Sequence, residues 1–554
     1  MGRRVLNEYL ERLQKEGLVK ASNLSEQGSV EIRTVTYDSR VACKGSLFLC
    51  KGQNFREEYL KMAMSRGAVC YVSETLFEQE DFPFILVKDI RKAQALLGAF
   101  HYGGPQKQLC LTGITGTKGK TTTAYYLKAI LDEWEKRPDS DKRGTCGLLS
   151  TIHTWDGKED RPSSMTTPEA LELYRHFRNA ADGGMHHMVM EVSSQALKYQ
   201  RVRGLSYEVG VFLNISEDHI SPQEHEDFED YFTSKLSMFR QVKTACVNLD
   251  CDHARRILGA AGMCRRIITF GTKGTPDIYG YRMKKEKEGI SFYVKTPDFE
   301  TKICLAMPGM FNVENALAAI AAAYAYGVPA GVIKRALAGV KVNGRMEQYT
   351  TGDGKITVIV DFAHNRLSFE KLYDAVLREF RGYAIYSVFG CPGGKGLNRR
   401  RELGLISGLF SRKVFLTADD PGMEDSREIA AEIGQYVEIT GCPHTYIENR
   451  ARAIRIAVAQ AAARNEKTVL LVLGKGHETS QKFSRRVYDY PSDAVLVREI
   501  LGDYDARRKN VVRERRKIDE LPGKVYNKAK TLCTGVQMGG MYENNTGVGI
   551  SAKA

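Results

Sequence analysis

Short apolar runs alternate with amphipathic segments along most of this chain. Runs of β-compatible residues stand at 109–112, 187–192, 208–214 and 356–361, whereas segment 124–131 returns apolar residues at helical spacing. Strands that alternate with helices predict α/β domains with mainly parallel sheets. Ligands of such sheets bind beyond the carboxyl ends of the strands, so the residues that follow these runs are the first candidates for a functional site.

The chain is too long for a single core, and we divide it into three predicted domains and a tail. With about 100 to 200 residues per domain, 554 residues correspond to roughly three or four units. The pattern predicts a small N-terminal α/β domain over 1–107, a central domain with a mainly parallel sheet over 108–341, and a Rossmann-like α/β domain over 342–504. Residues 505–554 are basic with little apolar periodicity, so we expect a disordered tail.

Residues 113–123 carry the strongest chemical signal, because they form a glycine-rich loop between a predicted strand and a predicted helix. Glycines let backbone N–H groups turn toward one anion, and the helix N-terminus adds a partial positive charge. The loop contains the short pattern Gly-Thr-x-Gly-Lys-Thr and predicts a P-loop ATPase-like central domain that binds ATP; a plain glycine-rich turn is the alternative. The candidate nucleotide-binding residues are Gly116, Thr117, Lys118, Gly119, Lys120, Thr121 and Thr122.

Composition narrows the class of protein further. A hydrophobic content of 43% and a charged content of 27% are ordinary for soluble globular proteins, and no apolar run approaches the roughly 20 residues of a membrane span. The N-terminus lacks the apolar core of a signal peptide, so we expect a cytoplasmic protein. Twelve cysteines are dispersed without a C-x-x-C pair, which argues against a structural zinc site.

The net charge of +14 is concentrated at one end of the chain. Residues 505–554 hold eleven Lys or Arg and five Asp or Glu, so they contribute six of the fourteen net charges. Because no nucleic-acid-binding motif with interleaved aromatic residues is evident, we expect no nucleic-acid partner. A P-loop ATPase stimulated by nucleic acid remains an alternative, since it would account for the basic tail.

Further motifs follow the loop in a fixed order. They lie at 166–169, 190–197 with Arg201, 214–219, Lys235, 312–315, 344–347, 361–364 and 474–478. In this order they closely resemble the Mur ligases, of the MurE type, over about residues 30–500. The resemblance implies a monomeric enzyme of peptidoglycan synthesis, which uses ATP to add the third amino acid to UDP-N-acetylmuramoyl-L-alanyl-D-glutamate.

The resemblance also implies a division of labour among the domains. The N-terminal domain binds the UDP part of the precursor, and the central domain activates the D-glutamate side-chain carboxylate as an acyl phosphate, with release of ADP. The C-terminal domain binds the incoming diamino acid, whose amine then attacks. A folylpolyglutamate synthetase shares the short loop and this chemistry, but the uridine-side domain and the motifs at 166–168 and 193–194 disfavour it.

The catalytic residues implied by the resemblance are Lys120, Glu191, His219 and Lys235. Thr121 and Glu191 are implied to bind a nucleotide-side Mg²⁺, and His219 a second Mg²⁺. Lys235 is implied to be carbamylated to N6-carboxylysine, whose anionic carbamate binds or orients Mg²⁺. The alternatives are a hydrogen-bonded histidine near a strand end and a solvated helix lysine. Segment 221–229, which lies between His219 and Lys235, is about two residues longer than the resemblance leads us to expect.

The remaining implied contacts are divided between the two large substrates. The uridine side is assigned to Ser39 within 38–40, with a surface ion pair of Asp38 and Arg40 as the alternative. The muramoyl-dipeptide is assigned to Thr166, Thr167, Ser193 and Arg201. The nucleotide is assigned to Asn312 and Asn315 on the adenine side and to Arg345, Asp361 and His364 near the hinge to the third domain.

The run 419–422 bears on which amino acid is added. Diaminopimelate-adding relatives carry Asp-Asn-Pro-Arg, whereas this chain carries Asp419, Asp420, Pro421 and Gly422. Losing a cation and gaining an anion favours a distal ammonium, so L-lysine is the leading substrate. Meso-diaminopimelate remains open if an arginine of 399–401 supplies the missing contact, and L-ornithine remains open because one methylene discriminates by only about 1 to 3 kcal/mol.

Three further residues complete the predicted amino-acid site. Arg400 aligns with the residue that binds the α-carboxylate of the incoming amino acid, and Glu478, near Gly474, aligns with one that contacts amino groups.

Overall fold

Three β-sheets, taken in order along the chain, organise the protein. The structure is a computed structural model that describes residues 4–519 apart from 25–27, 53–54, 78–81, 137–143, 223, 287–288 and 465, and only the backbone of 511–519. The predicted α/β class with mainly parallel sheets is confirmed. The exact domain boundaries remain predictions. Among the described residues, no helix is both long and apolar enough to cross a membrane.

The N-terminal sheet has five strands in its described part. The elements of this domain are α1 (Leu6–Lys15), β1 (Val19–Ser22), β2 (Thr34–Thr36), β3 (Ser46–Leu49), α2 (Glu57–Ser65), β4 (Ala68–Ser73), β5 (Phe84–Val87) and α3 (Ile90–His101). The strand order is β1-β5-β4-β3-β2, and β1 alone is antiparallel to its neighbour. Every residue of β3 is buried, as expected for a parallel strand covered on both faces.

The central sheet is the largest. Its domain comprises β6 (Cys110–Thr115), α4 (Lys120–Trp134), β7 (Gly147–Leu149), β8 (His153–Trp155), β9 (Asp160–Pro162), α5 (Ala170–Asp182), β10 (His187–Glu191), α6 (Ser194–Lys198), β11 (Tyr207–Phe212), α7 (Phe228–Leu236), β12 (Val242–Asn248), α8 (Ala254–Ala261), β13 (Arg266–Gly271), β14 (Ile278–Lys285), β15 (Ile290–Lys295), β16 (Glu300–Leu305), α9 (Phe311–Ala325) and α10 (Ala330–Leu337).

The order of these strands places the glycine-rich loop at the centre of the sheet. It runs β16-β15-β14-β13-β12-β11-β6-β10-β7-β8-β9, with parallel pairing from β14 to β7. Strand β6 lies between β10 and β11, so the chain leaves β6 toward one side of the sheet and later returns on the other. Such a switch point opens a crevice at the carboxyl ends of the strands, where Gly116 begins the loop.

The C-terminal sheet repeats this arrangement with six strands. Its domain comprises β17 (Glu347–Thr350), β18 (Ile356–Asp361), α11 (Arg366–Glu379), β19 (Ala384–Phe389), α12 (Asn398–Phe410), β20 (Lys413–Leu416), α13 (Ser426–Ile439), β21 (His444–Tyr446), α14 (Arg450–Ala463), β22 (Thr468–Leu473), β23 (Ser480–Phe483), β24 (Arg486–Asp489) and α15 (Asp493–Asp519). The order is β17-β18-β22-β19-β20-β21, with β17 antiparallel, and β23 and β24 form a separate hairpin.

Helix α15 corrects the predicted start of the tail. Residues 505–519 are helical, whereas the sequence analysis assigned them to a disordered tail. The carboxylate of Asp505 accepts a hydrogen bond from Gly352 N–H at 3.0 Å, and Arg508 pairs with Asp353. Buried apolar residues carry the helix as far as Leu501, and the Lys, Arg and Glu residues beyond it favour helix even without a core-facing stripe. Residues 520–554 lie outside the described residues.

A buried ion pair fixes the junction of α14, α15 and the end of β22. Arg450 and Asp493 are both fully buried, with Nε to Oδ1 at 2.8 Å and Nη2 to Oδ2 at 2.7 Å. Arg450 Nη2 also donates to Leu473 O at 2.7 Å, and Asp493 accepts from Gly476 N–H at 3.2 Å. The pair therefore holds both sides of the loop that begins at Gly474.

We expect Arg450→Ala to lower the free energy of unfolding of this region by about 3 to 5 kcal/mol, because Asp493 would keep a buried charge without its partner. Urea-dependent hydrogen exchange of peptides from α14 and β22 measures the change. Arg455→Ala is the matched control on the same helix, since Arg455 makes an exposed pair with Asp503 and should cost less than about 1 kcal/mol. Equal losses in the two variants would contradict the prediction.

Candidate active site

The loop after β6 is shaped by glycine and clamped by one asparagine. Gly116 has φ +150° and Gly119 φ +87°, and a Cβ at Gly119 would overlap the side-chain oxygen of Asn315. The loop therefore requires glycine at position 119. Asn214, which follows β11, accepts from Lys118 N–H at 2.9 Å and donates to Lys118 O at 3.1 Å. The clamped loop leads into the amino-terminal end of α4, whose partial positive charge favours a phosphate.

Three lysines, one fully buried and two partly exposed, surround this loop. Lys120 Nζ donates to Gly116 O at 2.9 Å, and Lys235 Nζ, from α7, donates to the same oxygen at 3.0 Å. Burial lowers the pKa of both amines, and the proximity of Lys120 helps to hold that of Lys235 well below its usual value. Burial also lowers the pKa of Lys118 to about 7, although Asp218 opposes the shift. The loop therefore lies in a concentration of positive charge.

The other predicted nucleotide-side residues of the central domain pack against the loop. Asn315 Nδ2 donates to Asn312 Oδ1 at 3.0 Å, and both side chains are buried on α9. The Thr117 hydroxyl lies 3.1 Å from the Tyr231 hydroxyl, and Thr122 is buried in the first turn of α4. These contacts pack α9, which carries both asparagines, and α7, which carries Tyr231, against the loop.

Glu191 ends β10 and organises a cluster of hydroxyl groups. Its carboxylate accepts from Thr151 N–H at 2.8 Å and lies 3.0 Å from the Thr151 hydroxyl, which in turn is 3.1 Å from Thr166 Oγ1. Thr167 O–H donates to Glu191 O at 2.9 Å, and Ser193 N–H donates to Thr167 Oγ1 at 3.0 Å. The structure thus brings Thr166, Thr167 and Ser193 together beside Glu191.

Arg201 connects these hydroxyl groups to the N-terminal domain. Its Nε lies 2.9 Å from Glu169 Oε1, and its Nη1 donates to Thr167 O at 3.5 Å. Glu169 also pairs with Lys51, which follows β3 in the N-terminal domain. A line of alternating charges therefore runs from the N-terminal domain to the carboxyl end of β10.

The predicted uridine-side motif contains an ion pair between Asp38 and Arg40, which was the alternative interpretation of these two residues. Arg40 Nε and Nη2 donate to the two oxygens of Asp38 at 2.9 and 2.7 Å, and the Arg40 side chain is 81% exposed. Ser39, between them, is buried. Its part in substrate binding remains a prediction.

His219 is oriented by a residue to which the sequence analysis gave no role. His219 has φ +58°, a strained conformation for a residue other than glycine that often marks a functional site. Its Nδ1 lies 2.8 Å from Oε1 of the buried Glu224. Glu224 belongs to the segment that is longer than expected. With Nδ1 engaged, Nε2 is the nitrogen left to bind a ligand.

Asp218 joins the central domain to the C-terminal domain. Its Oδ1 accepts from Arg399 Nε at 3.0 Å and Nη2 at 2.5 Å, and its Oδ2 accepts from Asn365. Burial opposes ionisation of Asp218, but Arg399, His219 and Lys118 outweigh it and hold its pKa well below the usual value. The sequence analysis missed this link, because 181 positions separate Asp218 from Arg399 and only packing reveals the pairing.

The predicted hinge residues also reach the loop. Arg345 Nη2 donates to Thr121 Oγ1 at 3.3 Å, and His364 Nε2 lies 3.0 Å from Lys118 Nζ. Asp361, at the end of β18, accepts from the backbone N–H that follows Arg345 at 2.8 Å and so holds the hinge segment. The C-terminal domain therefore closes over the loop with several polar side chains.

An acidic cluster lies at the carboxyl ends of β20 and β22. Lys475 Nζ is 2.9 Å from Asp420 Oδ1 and 2.6 Å from Glu478 Oε2. Asp419 is buried against Gly474, where a Cβ would overlap its carboxylate. Burial raises the pKa of Asp419 to about 7, although Lys475 opposes the shift. Asp420 and Glu478 share one ammonium beside the buried Asp419, an arrangement that favours a second cation.

Two arginines of α12 are paired with carboxylates of the protein. Arg400 lies 2.6 Å from Glu424 and 2.7 Å from Glu432, and Arg399 pairs with Asp218 as described. The role of Arg400 in binding an α-carboxylate remains a prediction, since both of its terminal nitrogens already face acids.

Two family models match the chain. The Mur ligase middle domain matches residues 114–323, and the glutamate ligase domain of Mur ligases matches residues 344–476. Together they cover the central loop, the hydroxyl cluster, the hinge residues and most of the acidic cluster.

Relatives match over nearly the full length of the chain. A UDP-N-acetylmuramyl-tripeptide synthetase of Lactobacillus acidophilus is 36% identical over 524 residues, which are 91% of this chain and 98% of the relative. A UDP-N-acetylmuramoyl-L-alanyl-D-glutamate–L-lysine ligase of Streptococcus agalactiae is 38% identical over 475 residues, covering 85% and 93%. The solved structure of a UDP-N-acetylmuramoyl-L-alanyl-D-glutamate–2,6-diaminopimelate ligase shares the fold, with a TM-score of 0.60 at 23% identity over 91% of this chain and 99% of that one.

The raised pKa of Asp419 predicts a pH-dependent stability. Between pH 3.8 and about 7 the folded protein holds this proton while the unfolded chain releases it, so the free energy of unfolding should fall as pH rises, by up to about 1.4 kcal/mol per pH unit. Calorimetry of the wild type and of Asp419→Asn from pH 4 to 8 tests this. The Tm of the wild type should drop relative to the variant across the window, and parallel profiles would refute the assignment.

Proposed function

The chain belongs to the Mur ligase family, and we propose that it is a MurE-type ligase that joins L-lysine to UDP-N-acetylmuramoyl-L-alanyl-D-glutamate and converts ATP to ADP and phosphate. The names of the full-length relatives support the reaction. The acidic cluster of Asp419, Asp420 and Glu478 around Lys475 is the observation that carries the choice of L-lysine, because Asp420 and Glu478 alone already exceed the resident cation by one carboxylate and so favour a distal ammonium.

The charges around the loop fit a polyphosphate. The ammonium groups of Lys120 and Lys235 share one carbonyl acceptor, so they repel each other until an anion lies between them or one of them loses its charge. In our proposal Lys120 and the first turn of α4 bind the phosphates of ATP, which supplies the phosphoryl group for the D-glutamate carboxylate. Asn312 and Asn315 bind on the adenine side, and Arg345 closes on the nucleotide from the third domain.

The environment of Lys235 also fits carbamylation. A carbamate forms when a neutral amine attacks CO₂ and loses a proton, and burial favours the neutral amine because it lowers the pKa of Lys235. The product would carry a negative charge at a position where two lysines now meet. It would thereby remove the repulsion with Lys120 and provide oxygen ligands of the kind that Mg²⁺ prefers.

The other proposed Mg²⁺ ligands are the Thr121 hydroxyl, the Glu191 carboxylate and the His219 ring. Oxygen donors suit Mg²⁺, and the Glu224 carboxylate holds the His219 ring in one orientation. Bound Mg²⁺ would offset the negative charge that gathers as a phosphoryl group and a carboxylate approach each other. The chain's own lysines share this task, because they are fixed at the loop before the substrates arrive.

The precursor fits across the first two domains. We propose that its uridine end occupies the N-terminal domain near Ser39 and that its peptide passes Arg201 and the hydroxyl cluster to reach the loop. Arginine can bind a carboxylate with two hydrogen bonds, and hydroxyl groups suit the amide and sugar oxygens of a glycopeptide. The ion pairs of Glu169 with Lys51 and Arg201 support this path, because they join the N-terminal domain to the central domain beside the hydroxyl cluster.

The alternatives have less support. A distal carboxylate of meso-diaminopimelate would need an arginine, yet Arg399 is engaged by Asp218 and Arg400 by two glutamates, which leaves the exposed Arg401 of the three candidates. L-ornithine would meet the same charges as L-lysine, and only the position of its ammonium differs. A folylpolyglutamate synthetase or a nucleic-acid-stimulated ATPase would account for the loop. Neither accounts for the similarity to peptidoglycan-precursor ligases over most of this chain. A cytoplasmic, monomeric enzyme is proposed from the family resemblance.

We expect ADP release that depends on UDP-N-acetylmuramoyl-L-alanyl-D-glutamate and Mg²⁺ and is at least about tenfold faster with L-lysine than with L-ornithine or meso-diaminopimelate. A coupled assay with each amino acid at the same concentration measures this. Preference for diaminopimelate would agree with a MurE-type ligase but would refute the proposed role of the acidic cluster. ADP release that ignores all three amino acids would refute the ligase itself.

Lys235→Ala should lower kcat for ligation by at least about a hundredfold, since it removes a charged group fixed at the reacting phosphate. A short carboxylic acid such as acetate should restore part of the activity by replacing the carbamate, and bicarbonate should stimulate the wild type only. Lys243→Ala, which breaks an exposed pair with Glu208, is the matched control and should keep full activity. An active Lys235→Ala enzyme would rule out the carbamate.

A further inference from the structure

A second cluster of metal-binding side chains lies at the opposite end of the central sheet from the loop. Cys110 begins β6 and His187 begins β10, and the two are register partners in the parallel pairing. Register partners on parallel strands project from the same face of the sheet. Cys110 N–H donates to His186 O at 2.8 Å, which draws His186 against the same edge. Three ligating side chains therefore converge at the amino-terminal edge.

The separations in this cluster suit a tetrahedral metal ion. One ligand atom from each of Cys110, His186 and His187 lies within 4.8 Å of the other two, and Cys110 Sγ is 3.6 Å from His186 Nε2. Glu135 Oε1 lies 3.3 Å from His187 Nε2, so this carboxylate engages one ring nitrogen and leaves Nδ1 to face a ligand. Tetrahedral Zn²⁺, with bonds of about 2.3 Å to sulfur and about 2.0 Å to nitrogen or oxygen, separates its ligands by about 3.3 to 3.6 Å.

The burial of His187 is a separate indication of a ligand. Its side chain is 2% exposed, and its Nδ1 has no hydrogen-bond partner among the described residues. The ring packs against Tyr326, with 4.7 Å between ring centroids, and against Trp134. A buried ring nitrogen that lacks a partner is costly unless something else satisfies it.

Two helices end at this cluster and favour a cation there. Helix α4 ends at Trp134 with Glu135 as its C-cap, and α9 ends at Ala325 with Tyr326 as its C-cap. The carboxyl end of a helix carries a partial negative charge. The two helix ends and the Glu135 carboxylate therefore produce a negative potential around the two imidazole rings and the thiol.

We propose that Cys110, His186 and His187 bind one Zn²⁺ or a similar borderline-soft divalent ion at the amino-terminal edge of the central sheet, with Glu135 orienting the His187 ring. The thiol of Cys110 releases its proton to water as the sulfur binds the metal. The ion would link β6 and β10, the strands that carry the glycine-rich loop and Glu191 at their other ends. The cysteine spacing argued against a structural zinc site, whereas these ligands come from separate elements that only the fold brings together.

Zinc binding to the full-length protein tests the proposal, with ADP and excess Mg²⁺ present to occupy the nucleotide side. Competition with a chromophoric chelator should show one ion per wild-type chain. Affinity should fall at least about tenfold in Cys110→Ser and in His186→Ala, because each loses a ligand. Cys304→Ser, which removes an exposed thiol on β16, is the matched control and should bind as the wild type does.

Two further readouts separate a metal site from a loss of folding. Co²⁺ should give a thiolate-to-metal charge-transfer band in the wild type and in Cys304→Ser but not in Cys110→Ser. Zn²⁺ should raise the Tm of the wild type and not that of Cys110→Ser, while ligase activity reports that each variant is folded. No stoichiometric binding, or equal affinity in Cys110→Ser, would overturn the proposal.

Discussion

The position of the third domain depends on the burial of one carboxylate. Asp218 lies away from water and stays ionised, a state that is tolerated only with close positive partners. Arg399 and Asn365 of the C-terminal domain meet this need from one side, and Lys118 of the loop lies on the other. This electrostatic requirement therefore favours the docking of the two domains, together with the contacts of Arg345 with Thr121 and of His364 with Lys118. These contacts position the acidic cluster relative to the glycine-rich loop.

The parallel sheets supply the second constraint. Strands β6, β10 and β11 deliver the loop, Glu191 and Asn214 to one edge, and β20 and β22 deliver the acidic cluster to the corresponding edge of the third domain. Chemistry that needs a phosphoryl donor, a carboxylate and an amine can therefore be assembled from strand ends. The proposed metal cluster uses the same strands at their other ends, where helix carboxyl ends replace helix amino ends and the favoured charge is reversed.

Much of this framework could be predicted from the sequence. Strands such as β10, β11 and β18 lie within one or two residues of the predicted runs, because strands that are buried on both faces read as continuous apolar segments. The start of the tail was wrong, since α15 continues as a helix through charged residues that carry no apolar periodicity. Periodicity detects a helix by its buried face, so a helix that leaves the core escapes it.

The sequence by itself determined the chemistry that lies in contiguous segments. The glycine-rich loop follows β6, and the run 419–422, with its exchange of a cation for an anion, follows β20. Within each of these segments the informative residues are neighbours in the sequence, so order along the chain is enough to recognise them. Only the tertiary structure decided which distant groups neutralise one another. Arg399 on Asp218 and Cys110 beside His187 are pairings of separate elements, and they exist because packing brings those elements together and burial makes an unpaired charge or ring nitrogen costly.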